Sequence, residues 1–203
     1  MINDVLNFLK QNYHDKEIVI FDIGAADLGD SIQYKHEFPN SKVFSFECNN
    51  DWLENNIKKS IEHGIYYNHC AISDTIGHLD FYASNTFGEQ YWPWSGGLCK
   101  PWENSRFTWK STYKVNTVTL EYFCEKYKIC PTYIHMDIQG AELKAMKGIG
   151  KYKPKYIQAE ICEFQSDYDT GTTYQEWLSY MQSLGYIEVG NFQWDGFYEL
   201  RKS

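Results

Sequence analysis

The chain has 203 residues, of which 19 are Lys or Arg and 27 are Asp or Glu, so its formal net charge is −8. Apolar residues make up 43% of the chain and aromatic residues 18%, which supplies a sizeable core and excludes a disordered protein. The acidic balance argues against a protein that binds mainly to a nucleic-acid backbone. We expect a single domain over residues 1–203, because this length is usual for one domain and short for two.

The same sequence argues against membrane, secreted and zinc-binding classes. The main apolar run, residues 18–21, is far shorter than a membrane-spanning helix, which needs about twenty residues. The N-terminal region has no basic stretch followed by an apolar block, so we expect no signal peptide. The cysteines form no C-x-x-C pair and no N-x-[ST] sequon is present, so we expect free thiols in a cytoplasmic location. The cysteines are Cys48, Cys70, Cys99, Cys124, Cys130 and Cys162.

Helix-like and strand-like segments alternate along the chain. Hydrophobic periodicity with caps and stops predicts helices over 4–13, 31–38, 50–63, 119–128, 140–147 and 173–184. Short β-branched or aromatic runs predict strands over 17–23, 42–47, 65–72, 132–138 and 155–161, with a hairpin arm at 77–83 and a closing hairpin of 186–189 with 197–200. This order predicts an α/β fold with a doubly wound, mostly parallel seven-stranded sheet and an antiparallel edge hairpin.

The segment 85–114 interrupts this alternation, and we interpret it as an aromatic and basic insertion with little periodicity. Indole faces stack on sugar rings and basic groups attract an anionic glycan or phosphate, so the segment predicts an acceptor site. The predicted acceptor-binding residues are Trp92, Trp94, Trp102, Arg106 and Trp109, with Lys100, Lys110 and Lys114 as further basic groups. A lid packed over the pocket, or a contact between subunits, is the alternative.

Three predicted strands end on acidic residues, Asp22, Glu47 and Asp137. In a doubly wound sheet, ligands bind at the carboxyl ends of the strands, near the point where strand order reverses. Gly24 and the small residues after it let backbone N–H groups approach a ligand, although a tight turn alone also explains them. Glu47 is placed to accept ribose hydroxyls. Asp22 and Asp27 would repel a pyrophosphate, so these charges favour S-adenosylmethionine over a dinucleotide.

The chain resembles the FkbM-type methyltransferases from about residue 19 to residue 200. An ordered set of segments carries the resemblance: FDIGAADLGDS, VFSFECN, NHCAISDTIGHLDFY, SGGL, VNTVTLEYF, YIHMDIQGAELKAMKGI, IQAEI and DGFYEL. The resemblance implies a class I methyltransferase (Rossmann-like) fold and transfer of a methyl group from S-adenosylmethionine to a hydroxyl group.

The resemblance also implies where the cofactor lies: Asp22 and Gly24 near its methionine end, Glu47 on its ribose, and residues 71–74 beside its adenine. The full set of predicted cofactor-binding residues is Asp22, Gly24, Ala25, Ser31, Glu47, Cys48, Ala71, Ile72 and Asp137.

The chain departs from the family pattern at four positions. The family usually has D-x-G-A-N-x-G after the first strand, whereas Ala26 stands here at the Asn position and Leu28 at the second Gly. Where the family frequently has Lys and Glu, on either side of the Asp that ends the fourth strand, this chain has His135 and Gln139.

Methyl transfer from a sulfonium requires in-line alignment and removal of the hydroxyl proton. The predicted catalytic residues are Asp137, His135 and Glu160, with Glu142 and Glu163 as further candidates. Asp137 is also a usual type of helix cap, and a histidine inside a buried strand is often a core residue. Asp137 and Glu160 together are candidate ligands for a Mg²⁺ that lowers the hydroxyl pKa. Glu142 suits the positive end of a helix dipole.

We therefore expect an S-adenosylmethionine-dependent O-methyltransferase that acts on a sugar or glycan hydroxyl. One alternative is an NAD-dependent sugar oxidoreductase, since Tyr122-x-x-x-Lys126 matches its usual pair, but such a spacing arises by chance in a chain rich in Tyr and Lys. The other is a nucleic-acid binding module that stacks bases on tryptophan, which the net charge opposes.

Overall fold

The structure, a computed structural model, describes residues 2–103, 105–161, 168–169, 172–192 and 195–201. The strands are, in chain order, β1 (Val19–Ile23), β2 (Lys42–Phe46), β3 (Tyr66–Asn68), β4 (Ala71–Ile72), β5 (Gly77–Phe87), β6 (Gln90–Tyr91), β7 (Lys100–Pro101), β8 (Phe107–Val118), β9 (Tyr133–Met136), β10 (Tyr156–Glu160), β11 (Tyr168–Asp169), β12 (Tyr186–Phe192) and β13 (Asp195–Leu200). The helices are α1 (Ile2–Tyr13), α2 (Gly29–Glu37), α3 (Asn50–His63), α4 (Leu120–Tyr127), α5 (Glu142–Lys147) and α6 (Tyr174–Ser183), with a 3₁₀ turn at Pro93–Ser95.

The central sheet has seven strands in the order β12-β13-β10-β9-β1-β2-β3. The five strands from β10 to β3 are parallel, and β12 and β13 add an antiparallel hairpin at one edge. The predicted α/β, doubly wound sheet and its closing hairpin are confirmed. Strand order reverses at β1, which pairs with β2 on one side and β9 on the other, so the carboxyl ends of these strands form the expected ligand edge.

The core lies on both faces of this sheet, because successive side chains of a strand point to opposite faces. On β1, Phe21 and Ile23 belong to the cluster that includes residues of α4, α5 and α6. Ile20 belongs to the opposite cluster, with residues of α1 and α2. Asp22 follows the alternation of Ile20 and contacts Ser31 of α2. None of the described helices is long and apolar enough to cross a membrane.

The expectation of one strand over 65–72 is wrong. A turn closed by the Cys70 N–H on the Asn68 carbonyl (3.0 Å) divides it into two strands. β3 pairs with β2 in the central sheet, whereas β4 pairs with β8 in a second sheet of order β4-β8-β5-β6. The chain therefore leaves the central sheet at Cys70.

In the segment 85–114, expected to be largely irregular, residues 85–87 and 107–114 belong to the antiparallel strands β5 and β8, and the remainder connects these two strands. We call residues 77–103 and 105–118 the aromatic arm. Its second strand does alternate, with Phe107, Trp109, Tyr113 and Val115 less exposed than their neighbours. Bulges on β5 around Ser84 shift the pairing register, and the alternation of β8 breaks between Trp109 and Tyr113. The alternation is consequently too short on either side of these shifts to indicate the hairpin from the sequence.

The turn after β1 is held in an unusual backbone conformation. Gly24 has φ +85°, and a Cβ there would lie 1.9 Å from the carbonyl oxygen of Asp137, so only glycine fits beside the end of β9. Ala26 (φ +42°) and Leu28 (φ +66°) also adopt left-handed conformations. Hydrogen bonds impose this conformation on Ala26, whose N–H donates to Glu47 (2.9 Å) and whose carbonyl accepts from Asn56 (2.6 Å).

Because an L-residue is strained at positive φ, we expect Ala26→Gly to stabilise the fold by about 1 kcal/mol in urea unfolding. Ala25→Gly is the matched control. Ala25 is buried and has no positive φ, so its replacement is expected to destabilise by about 0.5–1 kcal/mol. Equal losses in both variants would contradict the assignment of strain to Ala26.

Candidate active site

A cleft of about 370 Å³ opens at the carboxyl ends of β1, β2, β9 and β10, beneath the aromatic arm. This volume is within the usual range for small-molecule sites. Ten of the residues that the sequence singles out line the cleft: Gly24, Glu47, Cys48, Ala71, Ile72, Trp92, Trp94, Arg106, Asp137 and Glu160. Six others do not line it: Asp22, Ala25, Ser31, Trp102, Trp109 and His135. Glu163 and Cys162 lie outside the described residues.

Glu47 lies at the end of β2 and joins two loops that border the cleft. Its two carboxylate oxygens accept the N–H of Ala26 (2.9 Å) and the N–H of Asn49 (2.6 Å). Burial raises its pKa to about 7, against the opposing effect of these backbone hydrogen bonds. Each carboxylate oxygen has a second lone pair, so Glu47 can hold both loops and still accept hydroxyl groups of a ligand.

The wall beside Glu47 is apolar. Cys48, Ala71 and Ile72 are buried, and all three line the cleft. Ala71 and Ile72 form β4, which the turn at Cys70 directs towards the arm. A flat aromatic ring system fits this surface, and the polar end of a nucleoside would lie towards Glu47.

A buried polar cluster lies under the turn rather than in the cleft. Asp22 accepts a hydrogen bond from Ser31 and contacts His135 Nδ1 at 3.0 Å, on the neighbouring strand. Burial lowers the pKa of His135, but the hydrogen bond and charge of Asp22 outweigh it and raise that pKa to about 9. His135 is 8% exposed and already paired. The cluster can therefore support the turn, whereas a proton acceptor for a bound substrate must be reached from the cleft.

Asp137 and Glu160 meet in the cleft at the ends of β9 and β10. The side-chain amide of Gln139 donates to Asp137 Oδ1 (2.6 Å) and lies 3.2 Å from Glu160 Oε2. Burial and the neighbouring Asp137 carboxylate raise the pKa of Glu160 to about 9. Glu160 therefore carries a proton at neutral pH.

The side chain of Glu142 fixes the backbone of the loop that carries Asp137 and Gln139. Glu142, at the start of α5, accepts the N–H groups of Ile138 (3.1 Å) and Gly140 (3.2 Å). Burial raises its pKa to about 7, against the opposing backbone hydrogen bonds. Gln139, between these two donors, has φ +54°. Glu142 thus acts on the loop backbone, in addition to the expected role at the helix dipole.

The Mg²⁺ expectation receives no support from the ligand set. Within the described part of the chain, no three His, Cys, Asp or Glu side chains are grouped so as to hold a metal ion. Asp137 and Glu160 offer two carboxylates, and Gln139 directs an N–H donor towards both. A protonated Glu160 and the Gln139 donor suit each other here, whereas a Mg²⁺ site normally requires near-octahedral oxygen ligation.

Aromatic rings form the outer wall of the cleft. Trp94 packs between Trp92 and Trp52, with ring centroids 5.3 and 5.1 Å away, and all three line the cleft. Trp94 is 46% exposed, so its ring is available to a ligand. In contrast, Trp109 does not line the cleft, and packs against Tyr168 (5.7 Å), which does. This arrangement separates the predicted tryptophans into a cleft pair and two others.

Of the four basic residues of the arm, only Arg106 lines the cleft. Lys110 forms an ion pair with Asp51 (2.8 Å), and Lys114 forms one with Asp80 (2.9 Å). The charge available to attract an anionic ligand is therefore smaller than the sequence count indicates. Trp102 is 45% exposed and, like Lys100, lies away from the cleft.

Among the cleft residues that the sequence analysis does not identify are Trp52 and Gln139. Trp52 was assigned only to a helix, although it follows Glu47 by five positions and therefore lies in the first turn of a helix that starts at the ligand edge. Gln139 stands out in the sequence only as a departure from the family pattern, although its place two residues after the strand-ending Asp137 predicts a position in the cleft. Position relative to a strand end was the available signal in both cases.

Comparison with protein families gives a match to the methyltransferase FkbM domain over residues 22–188. The chain belongs to the FkbM methyltransferase family. No curated protein matches the chain.

Solved structures share the fold of this FkbM domain at low identity. A putative rRNA methylase from Clostridium thermocellum is 10% identical, with a TM-score of 0.53 over 98% of this chain and 94% of that chain. An rRNA methylase from Streptococcus thermophilus is 10% identical, with a TM-score of 0.52 over 99% and 96%. TrmK from M. capricolum, solved with S-adenosylhomocysteine, is 11% identical, with a TM-score of 0.51 over 98% and 68%. These likenesses establish the class I methyltransferase fold alone.

Family and fold together identify an S-adenosylmethionine-dependent methyltransferase. The cleft suits that cofactor, because Glu47 offers carboxylate oxygens for ribose hydroxyls and the wall at Ile72 is apolar. The oxidoreductase alternative loses its basis, since Tyr122 and Lys126 lie on α4 and do not line the cleft.

The buried groups of the site predict how stability depends on pH. Folding raises the pKa of Glu47 and Glu142 from 4.5 to about 7, of Glu160 from 4.5 to about 9, and of His135 from 6.5 to about 9. All four groups bind protons more tightly when folded, so stability falls as pH rises between about 4.5 and 9.

We expect the melting temperature, measured at constant ionic strength, to be highest near pH 5 and to fall towards pH 9. Glu160→Gln removes the group with the widest titration range and is expected to flatten this decline. A melting temperature that rises from pH 5 to pH 9 would contradict the assignment.

Proposed function

We propose that this FkbM domain transfers the methyl group of S-adenosylmethionine to a hydroxyl of a sugar or glycan. The observation that carries the proposal is the arrangement of the cleft, which is lined both by Asp137 beside the protonated Glu160 and by the tryptophans of the arm. Family membership supports the methyltransferase activity. The hydroxyl acceptor and its sugar character rest on the chemistry of these side chains.

Residues of the strand ends hold the cofactor in this proposal. Glu47 accepts its ribose hydroxyls, Ile72 and Cys48 cover its adenine, and Gly24, packed against the backbone of Asp137, borders its methionine end. The bound cofactor supplies an electrophilic methyl group on a cationic sulfur. The neighbouring carboxylates favour this cation electrostatically.

The carboxyl pair removes the hydroxyl proton. Glu160, whose pKa is raised to about 9, keeps its proton at neutral pH, which leaves Asp137 to accept the proton of the acceptor hydroxyl. Gln139 holds Asp137 through a hydrogen bond of 2.6 Å. Deprotonation then accompanies attack by the hydroxyl oxygen on the methyl carbon.

The tryptophan wall selects the acceptor. The exposed face of Trp94 offers an apolar surface on which the CH face of a sugar ring stacks, and the neighbouring Trp92 extends this surface. Arg106 is the basic side chain of the arm at the cleft and favours an acceptor with an anionic substituent.

A screen with methyl-labelled S-adenosylmethionine tests the proposal directly. We expect label transfer to members of a panel of sugars, oligosaccharides and hydroxylated natural products. The product linkage should be an O-methyl ether by NMR. Transfer to RNA, or to nitrogen or carbon acceptors alone, would contradict the proposed acceptor class without affecting the family assignment.

We expect Asp137→Asn to lower kcat by about 10²–10⁴-fold, because it removes the proton acceptor. Its affinity for S-adenosylhomocysteine, measured by calorimetry, should change much less. Glu160→Gln retains a neutral side chain and is expected to keep most turnover at pH 7 while altering the alkaline limb of the rate profile. Full activity of Asp137→Asn would transfer the role to Glu160.

The tryptophans provide a matched comparison of their own. Trp94→Ala is expected to raise KM for the acceptor by about 2–10-fold, since an aromatic stacking contact contributes about 0.5–1.5 kcal/mol. KM for the cofactor should change less. Trp102→Ala, which alters a similarly exposed ring away from the cleft, should leave both constants near wild type. Equal effects on both substrates in Trp94→Ala would favour a packed lid.

A further inference from the structure

The aromatic arm is fastened to the first turn of α3 by one carboxylate. Asp51 Oδ1 pairs with Lys110 Nζ of β8 (2.8 Å), and Asp51 Oδ2 accepts the hydroxyl of Tyr91 of β6 (2.8 Å). The Asp51 side chain is only 21% exposed, although it lies at the surface end of a helix. Asp51 does not line the cleft, so none of these contacts involves the ligand site directly.

A second set of contacts lies beside the first and continues towards the cofactor. Asn49 donates its side-chain N–H to the carbonyl of Pro93 (3.2 Å), and its amide oxygen accepts the hydroxyl of Tyr113 (3.2 Å). The same hydroxyl accepts the N–H of Asn50 (3.0 Å). The backbone N–H of Asn49 donates to Glu47 Oε1. One short segment therefore holds the arm on one side and Glu47 on the other.

The segment also carries Trp52, which packs against Trp94 of the arm at 5.1 Å. Residues 49–52 thus contribute a backbone donor to Glu47, the polar contacts of Asn49, Asn50 and Asp51 with the arm, and one ring of the tryptophan wall. A ligand that fixes Glu47 restricts this segment, and a fixed segment restricts the arm. Two sites joined by such a short hydrogen-bonded path are coupled energetically.

We propose that Asp51 is a positioning residue that clamps the aromatic arm to the cofactor-binding end of β2, so that cofactor binding and acceptor-wall closure reinforce each other. The assignment of the arm as acceptor wall rests on the proposed function. The coupling itself concerns only the cofactor and the arm. Because linkage is reciprocal, loosening the arm must weaken cofactor binding.

The experiment breaks the clamp from the arm side, at a residue that touches neither Glu47 nor the cleft. Lys110→Met removes the ion pair with Asp51 and leaves α3 unchanged. Lys114→Met is the matched control, because Lys114 lies on the same strand and its ion pair with Asp80 (2.9 Å) stays within the arm. The measurements are the Kd for S-adenosylhomocysteine by calorimetry and the amide hydrogen exchange of residues 90–97.

In wild type we expect S-adenosylhomocysteine to slow exchange in residues 90–97, including the Trp92 amide that bonds to Asn85. Lys110→Met should weaken S-adenosylhomocysteine binding at least about 5-fold, the low end of usual allosteric coupling, and should abolish that protection. Lys114→Met should stay within about 2-fold of wild type in Kd and retain the protection.

Asp51→Ala should reproduce Lys110→Met, and the double variant should add little further, because both changes break the same contact. An unchanged Kd or unchanged protection in Lys110→Met would overturn the proposal, and so would equal weakening in Lys114→Met. An acceptor outside the sugars would overturn the proposed function but leave this result intact. The two failures are therefore distinguishable.

Discussion

The buried carboxylate of Glu47 joins the parts of the molecule on which the site depends. It accepts one N–H from the turn after β1 and one from the start of α3, and the Asn49 that supplies the second also holds the aromatic arm. A strand end, a strained turn and a long hairpin therefore meet at a single side chain. Because such a group loses hydration on burial, its hydrogen bonds must be kept, which fixes the geometry of both loops.

Acidic groups at this edge of the sheet are arranged in two layers with different functions. In the lower layer, Asp22 is neutralised by His135 and accepts from Ser31, so its charge supports the turn from inside. In the upper layer, Asp137 lies beside Glu160, which carries a proton at neutral pH, and a ligand in the cleft can reach both. Position along the strands separates these layers, since His135 and Asp137 are two residues apart on the same face and Asp137 lies nearer the strand end.

Much of the architecture could be predicted from the sequence, because local signals and tertiary structure agree over the central sheet. Asn50–His63 begins after the cap Asn49 and ends at Gly64, as its pattern indicates. The arm could not be predicted in the same way, since the register shifts near Ser84 interrupt the alternation of buried and exposed residues that indicates a strand. Strand-end acids were identified, but which of them face the cleft depends on pairing between distant strands, as Asp22 with His135 demonstrates. The contact between Trp52 and the distant Trp94, which places Trp52 in the tryptophan wall, is likewise not visible in the sequence.

The pairing of β1 with β9 has a consequence for synthesis of the chain. The two strands that form the floor of the cleft are brought together across an interval of 113 residues, measured between Asp22 and His135. During translation, β1 can pair early with β2, but its other edge has no neighbour until β9 leaves the ribosome. Closure of so long an interval is slow, and the cofactor has no complete site to bind until it occurs. Stabilisation by the cofactor is consequently available only after β9 has been made, and the early β-strands depend until then on the helices beside them.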